Sequence, residues 1–175
     1  MKTLKAGSTI VAIRGNASAN RYKSWNNRGL ARREKGDLDG ALADFDHAIA
    51  LAPQKAVHYG NRGRAWLLKG EVERALGDLN HALVLDPKLA EAWRNRGAVW
   101  LEKREFTRAI ADFDQALKLK PDLADACADR GVAWLMQGKL EKAEADFARC
   151  RALGGVPKPE AERSLREIRE LHSPK

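Results

Sequence analysis

Polar residues that recur at one spacing are where this chain could do chemistry. Asn27, Asn61 and Asn95 stand 34 residues apart, with Asp129 in the fourth place. An amide side chain donates to a carbonyl and accepts from an N–H at once, so the series suits contact with the main chain of an extended peptide. A solvated or internally bonded asparagine series is the alternative. Arg28, Arg62, Arg96 and Arg130 keep the same step, and Asp44, Asp78, Asp112 and Asp146 follow each of them by 16 residues. That spacing predicts ion pairs within or between repeats, which act as architecture rather than as a ligand site. Trp66, Trp100 and Trp134 form a third series, with Arg32 in the first place. Indoles in a row could stack bases or sugars, but three residues after a recurrent glycine on a helix they belong in the core.

Catalytic and metal chemistry find little to work with. His47 and His81 lie one repeat apart on second helices, near 10 Å by the usual helix-packing distance of about 8–10 Å. Shared zinc coordination at about 2.0–2.1 Å is therefore not expected. The two cysteines, Cys127 and Cys150, are too few for a disulfide framework and have no metal-type spacing, so they read as small apolar groups in a reducing compartment. There is no nucleophile elbow, phosphate-binding loop or metalloprotease motif, and no carboxylate pair stands out from the repeat. The expectation is a chain without enzymatic activity, metal or cofactor.

The elements that must hold these residues follow from the same period. Gly29, Gly63, Gly97 and Gly131 are each 34 residues apart, as are Ala41, Ala75, Ala109 and Ala143. Phe45, Leu79, Phe113 and Phe147 keep that step, and so do Pro53, Pro87 and Pro121, with Gly155 in the fourth place. In each repeat a first helix ends near a turn such as Lys35-Gly36-Asp37 or Lys69-Gly70-Glu71, where glycine takes the left-handed conformation and an acidic residue opens the next helix. The prolines cannot continue the second helix, so the unit is an antiparallel pair. Arg104 replaces the turn glycine in the third repeat, whose turn should differ slightly. A glycine inside the first helix costs roughly 1 kcal/mol against alanine. Its recurrence implies close helix approach, with the alanine series as the other small surface. Stacked pairs need a cap, and Ala161, Leu165, Ile168 and Leu171 make an apolar stripe on a charged helix beginning near Pro159.

These residues resemble the tetratricopeptide repeat pattern, in which a small residue, an alanine, an aromatic and a proline recur at fixed places. Asn95-Arg96-Gly97 and Ala109-Ile110-Ala111-Asp112-Phe113 carry the likeness most closely. The resemblance implies an all-α, right-handed α-solenoid of helix-turn-helix repeats at 22–55, 56–89, 90–123 and 124–157. A basic extension precedes them over 1–21, and a capping helix and tail follow over 158–175. It also implies that the asparagine positions face a concave groove, as a similar ladder does in the O-linked GlcNAc transferase. Asn27, Asn61, Asn95 and Asp129 would then line it. The remaining groove positions implied are Lys23, Asn26, Leu30 and Arg33, then Arg64 and Leu68, then Arg94, Ala98 and Glu102, and lastly Asp125, Val132 and Met136. The groove would run from basic to acidic and prefer a ligand of opposite polarity. With first helices about 8–10 Å apart and a peptide advancing about 3.3 Å per residue, one asparagine would meet every third ligand residue. Some members clamp the carboxylate of chaperone tails with lysines, asparagines and an arginine. Here those places hold Asn26, Leu30, Asn61, Glu91 and Asn95, or one repeat later Gly60, Arg64, Asn95, Asp125 and Asp129, so such a clamp is not expected.

The net charge of +8 is unevenly spread. Residues 1–21 carry +4 and residues 149–175 carry +3, which leaves +1 for the whole middle. A nucleic-acid binder usually carries its basic stripe on the folded face, so the tails are the only route to that function. No apolar run nears the ~18 residues that cross a bilayer. The short Thr9–Ile13 stretch, interrupted by Arg14, is a poor secretory signal, so a bacterial cytoplasm is favoured over export. The sequence therefore points to an adaptor or scaffold that binds an extended segment of another protein. Self-association into a homo-oligomer is the alternative, and nucleic-acid binding through the tails the weaker one.

Overall fold

Glycine and proline punctuation divides residues 21–172, the part of the chain that the computed structural model describes, into helices with no strand among them. They are α1 over residues 21–34, α2 (Leu38–Leu51), α3 (Ala56–Leu68), α4 (Val72–Leu85) and α5 (Ala90–Glu102). Then come α6 (Phe106–Leu119), α7 (Ala124–Met136), α8 (Leu140–Ala152) and α9 (Pro159–His172). The chain divides into two units, Met1–Asp86 and Pro87–Lys175, so that α1–α4 belong to the first and α5–α9 to the second. Both are all-α and built from helix pairs. Among the described residues no helix is long and apolar enough to cross a membrane. The basic extension, the Thr9–Ile13 stretch and the side chain of Leu171 lie outside the described residues, apart from Arg21 at the start of α1.

Each pair closes through the same turn. After α1 the Gly36 N–H bonds to the Arg33 carbonyl at 3.0 Å and the Asp37 N–H to Arg32 at 3.0 Å, and Gly36 takes φ 81°. The bonds recur after α3, α5 and α7. After α5, where a different turn was expected, the geometry is unchanged and Arg104 itself adopts φ 59°. The six-to-one and five-to-two bonds satisfy the last carbonyls of the helix, and that demand outweighs the roughly 1–2 kcal/mol a side chain loses in the left-handed region. Of the acidic residues opening second helices, Asp37 accepts from the Gly40 N–H at 2.9 Å, whereas Glu71 and Glu105 make no side-chain cap bond.

The recurrent glycine of the first helix meets the aromatic series rather than the alanines. A Cβ on Gly29 would lie 2.7 Å from the Phe45 ring, and one on Gly131 would lie 2.5 Å from that of Phe147. Phe45, Phe113 and Phe147 are at most 1% exposed. Burying such a ring contributes roughly 1.5–3 kcal/mol, more than the roughly 1 kcal/mol that the glycine costs, which is why the sequence keeps both. The alanines line the same crossing, and at Gly63 and Gly131 they present backbone carbonyls at 3.2 and 3.3 Å.

In the first unit Ala41, Leu42 and Phe45 of α2 pack with Ala65 of α3, with Leu30 and Trp66 against them. In the second, Ala109, Ile110 and Phe113 pack with Ala133, Trp100 and Trp134. Helix α9 then buries Leu165 against Leu135, Ala143 and Phe147, with Ala161 and Ile168 alongside. Its apolar stripe thus covers faces of α7 and α8 that would otherwise meet water.

Candidate functional site

The arginine and aspartate series meet as bidentate pairs. Arg28 donates to Asp44 at 2.7 and 2.8 Å, and Arg62–Asp78, Arg96–Asp112 and Arg130–Asp146 repeat the fork at 2.6–2.8 Å. Two arginines also reach the preceding helix pair, Arg62 to Asp46 at 2.5 Å and Arg130 to Asp114 at 2.6 Å. Asp44, Asp112 and Asp146 are at most 5% exposed, so these carboxylates face inward. The hydrogen bonds from Arg28 hold the Asp44 carboxyl below its ordinary range, and those that Arg62 and Arg130 donate to Asp78 and Asp146 raise these arginines further above theirs.

The tryptophans are half-buried, and each indole carries a cation from the second helix on its outer face. Arg74 lies 4.7 Å over Trp66, Arg108 5.1 Å over Trp100 and Lys142 4.4 Å over Trp134. A stacking platform for bases is thereby occupied by the protein itself. In the first repeat Arg32 stands in the tryptophan's place and donates to Asp44 at 3.0 Å, as the Trp100 indole does to Asp112 at 3.0 Å. His47 stacks on Trp25 and His81 meets Tyr59 edge-on, each at 4.4 Å between centroids. Cys127 and Cys150 are buried in the core beside Leu117 and Leu123, and burial pushes both thiols up.

The predicted groove residues lie on the first helices, and in each unit a few of them bond to one another. In the first unit the Asn61 amide of α3 donates to the Asn26 Oδ1 of α1 at 2.9 Å, and His58 Nδ1 approaches the same oxygen at 3.1 Å. The Asn26 amide turns toward Asn27 Oδ1 at 3.5 Å. An oxygen only accepts, so His58 carries its proton on Nδ1. Its Nε2 is buried with no hydrogen-bond partner among the described residues. Burial, and then the charge of Lys55, lower its pKa, while the Tyr22 ring stands edge-on at 5.3 Å. Lys23 and Asn27 are exposed, Arg33 and Arg64 are half-buried, and Leu68 is 49% exposed. Leu30 joins the core cluster instead of standing free.

In the second unit Arg94 of α5 reaches α7, bonding Asp129 at 3.0 Å and Asp125 at 3.1 Å. Lys158 lies 4.0 Å from the other Asp129 oxygen. Asn95 and Asp129 are only 7% and 6% exposed. Ala98 is half-buried, Glu102 and Asp125 are exposed, and Met136 is 50% exposed. The four ladder positions therefore differ: Asn27 offers its amide to solvent, Asn61 shares its own with Asn26, and Asn95 and Asp129 show little surface. Sequence reasoning missed Lys158 and the partnership of Asn26 with His58. The spacing of 35 that joins Asn26 to Asn61 and Arg94 to Asp129 was the signal available.

Two tetratricopeptide repeat family models match this chain, one over residues 22–55 and one over 90–123, each a helix pair of the kind just described. The chain belongs to the tetratricopeptide repeat (TPR) family. No curated protein matches it in sequence. Among solved structures it is similar to a thermophilic TPR protein of Thermus thermophilus, at 21% identity and a TM-score of 0.73 over 84% of this chain and 80% of that one. It is also similar to the TPR domain of Arabidopsis OM64, at 26% identity and a TM-score of 0.62 over 66% and 96% of the two chains. The first TPR of Spaghetti (RPAP3) bound to the HSP90 peptide SRMEEVD gives 26% identity and 0.61 over 67% and 93%.

Proposed function

We propose that this TPR protein is an interaction adaptor that holds an extended segment of a partner protein along its first helices. The observation that carries the reading is the division of labour on those helices. In the first unit Asn26 and Asn61 are engaged internally while Lys23, Asn27 and Leu68 have exposed side chains, and in the second Arg94 and Asp129 are engaged while Met136 is exposed. An amide, a charge and a large apolar group exposed together on the first helices of the first unit suit a polypeptide ligand better than a metal or a small polar substrate. The similarity to a TPR that holds an HSP90 peptide supports the class of ligand. Its mode does not transfer, because Asn26, Leu30, Asn61, Glu91 and Asn95 supply no cation for an acidic tail. The partner's segment is therefore of another chemistry.

Capture from host lysate tests this with wild type and the triple variant Lys23→Glu, Asn27→Ala, Leu68→Ser. All three residues are exposed, so the fold should survive, which circular dichroism checks. The reading expects a discrete set of proteins retained by wild type and lost by the variant. Identical sets from both would refute it.

A further inference from the structure

Between α7 and α9 of the second unit lies a cleft of about 440 Å³, within the roughly 300–1,000 Å³ of ordinary ligand pockets. Val132, Leu135 and Met136 form one wall, and Ala161 and Ile168 the other. Leu135, 8% exposed, lies deep in it, and half-exposed Met136 stands at the lip. The repeat register shows how local this surface is. Positions equivalent to Val132 and Met136 hold Leu30 and Glu34, Arg64 and Leu68, and Ala98 and Glu102 in the other repeats, so only here are both large and apolar.

The polar lining is Lys158, Glu160 and Ser164. One cation, one anion and a hydroxyl make the mouth close to neutral. Lys158 is 63% exposed and spends only a 4.0 Å contact on Asp129, which leaves ammonium protons for a carbonyl, while Glu160 can accept a main-chain N–H. A charged side chain reaching the apolar depth of the cleft, among Val132, Leu135 and Ile168, would be desolvated away from Lys158 and Glu160 at its mouth. An aliphatic one would lose nothing, and its flanking amides would find both a donor and an acceptor.

We propose that this cleft is the specificity pocket of the adaptor, taking one aliphatic side chain of the partner's extended segment with uncharged main chain on either side. The proposal rests on the adaptor reading for its biological ligand, but its test does not. Helix α9 is then half of a binding site as well as a cover for α7 and α8.

The test is methyl-resolved NMR of the full chain titrated with three blocked amino acids, N-acetyl-leucine, N-acetyl-glutamate and N-acetyl-lysine methylamides. Saturable shifts confined to the Val132, Met136 and Ile168 methyls are expected with the leucine compound, with the charged compounds weaker by on the order of tenfold. Ser164→Phe, which fills the cleft from an exposed position on α9, should abolish the shifts and leave the remaining spectrum intact. Shifts that do not saturate, that are equal for charged compounds, or that persist in Ser164→Phe would overturn the proposal. So would cleft methyls already contacted by Ile10 or Ile13 of the chain itself, or shifting with protein concentration alone, since the occupant would then be the chain's own segment or a second copy. Failure here with partners still lost in the Lys23, Asn27, Leu68 variant would remove the pocket and keep the adaptor.

Discussion

The two units make the same contact with opposite chemistry. In the first, Asn26 and Asn61 join successive first helices through a neutral amide bond at 2.9 Å, with His58 on the same oxygen. In the second, the residues at equal register, Arg94 and Asp129, do so through an ion pair at 3.0 Å, and Ala126 stands where His58 would be. The repeat fixes where the contact falls, and residue choice sets what it depends on. The sharpest way to break the comparison is to remove one partner on each side. Arg94→Met leaves Asp129, whose side chain is 9% exposed, with only Lys158 at 4.0 Å. It should cost about 3 kcal/mol, read by urea unfolding at neutral pH. Asn26→Ala leaves buried His58 and half-buried Asn61 without their acceptor and should cost less, about 1–3 kcal/mol. Equal losses would mean that the ionic contact has no special role.

The contacts should also respond differently to acid. His58 has a lowered pKa because burial disfavours its charged form. Below the ordinary histidine value of about 6.5 the unfolded chain therefore binds a proton that the folded one refuses. Stability is fully present above that value and falls as pH drops below it, by at most about 1.4 kcal/mol per pH unit. Amide protection factors in α1 and α3, taken against the intrinsic exchange rate at each pH, should fall between about pH 6.5 and 5. In His58→Ala that added slope should vanish; a slope that persists would assign the effect to another group.

A transplant sharpens the comparison further. Asn26→Arg, His58→Ala and Asn61→Asp together give the first unit the chemistry of the second. If the register alone decides geometry, the triple variant should unfold within about 1 kcal/mol of wild type, while Asn26→Arg alone, which places a cation against buried His58, should lose clearly more. Additive losses from the three single changes would show that the surroundings of each contact, and not the register, determine what fits.

What was legible in the sequence was whatever recurs. The period gave the helix pairs, the turns, the arginine–aspartate forks and the apolar stripe of α9, because each depends on residues at constant separation along one helix or across one pair. The site was legible only in part, since the inward or outward facing of a first-helix residue depends on its neighbour one repeat away. Asn61 turns toward Asn26 because that amide is present, Leu30 packs half-buried against the cluster of Ala41, Leu42, Phe45 and Ala65, and Asn95 is covered where Asn27 is not. The glycine's partner was misjudged for a related reason. Alanine is small, so it was expected at the crossing, yet the ring four residues further along the second helix reaches back over the space that the glycine leaves.

The smallest expected effect concerns the turns. The first unit uses Gly36 and Gly70, at φ 81° and 83°, where the second uses Gly138 at φ 71° after α7 but Arg104 at φ 59° after α5, with the same two closing bonds. An L-residue there loses roughly 1–2 kcal/mol, and a glycine returns roughly 0.5–1 kcal/mol of that through the greater entropy of its unfolded chain. Arg104→Gly should therefore stabilise the second unit by only about 0.5 kcal/mol, whereas Gly70→Arg should destabilise the first by a similar amount, both measured as shifts of the urea midpoint at constant slope. Opposite signs of similar size would show that one turn serves both units and that the residue in it is a local matter. A loss from Arg104→Gly would mean instead that the arginine side chain, which lines a surface notch with Phe106, Arg108 and Gln137, contributes contacts worth more than its strained backbone.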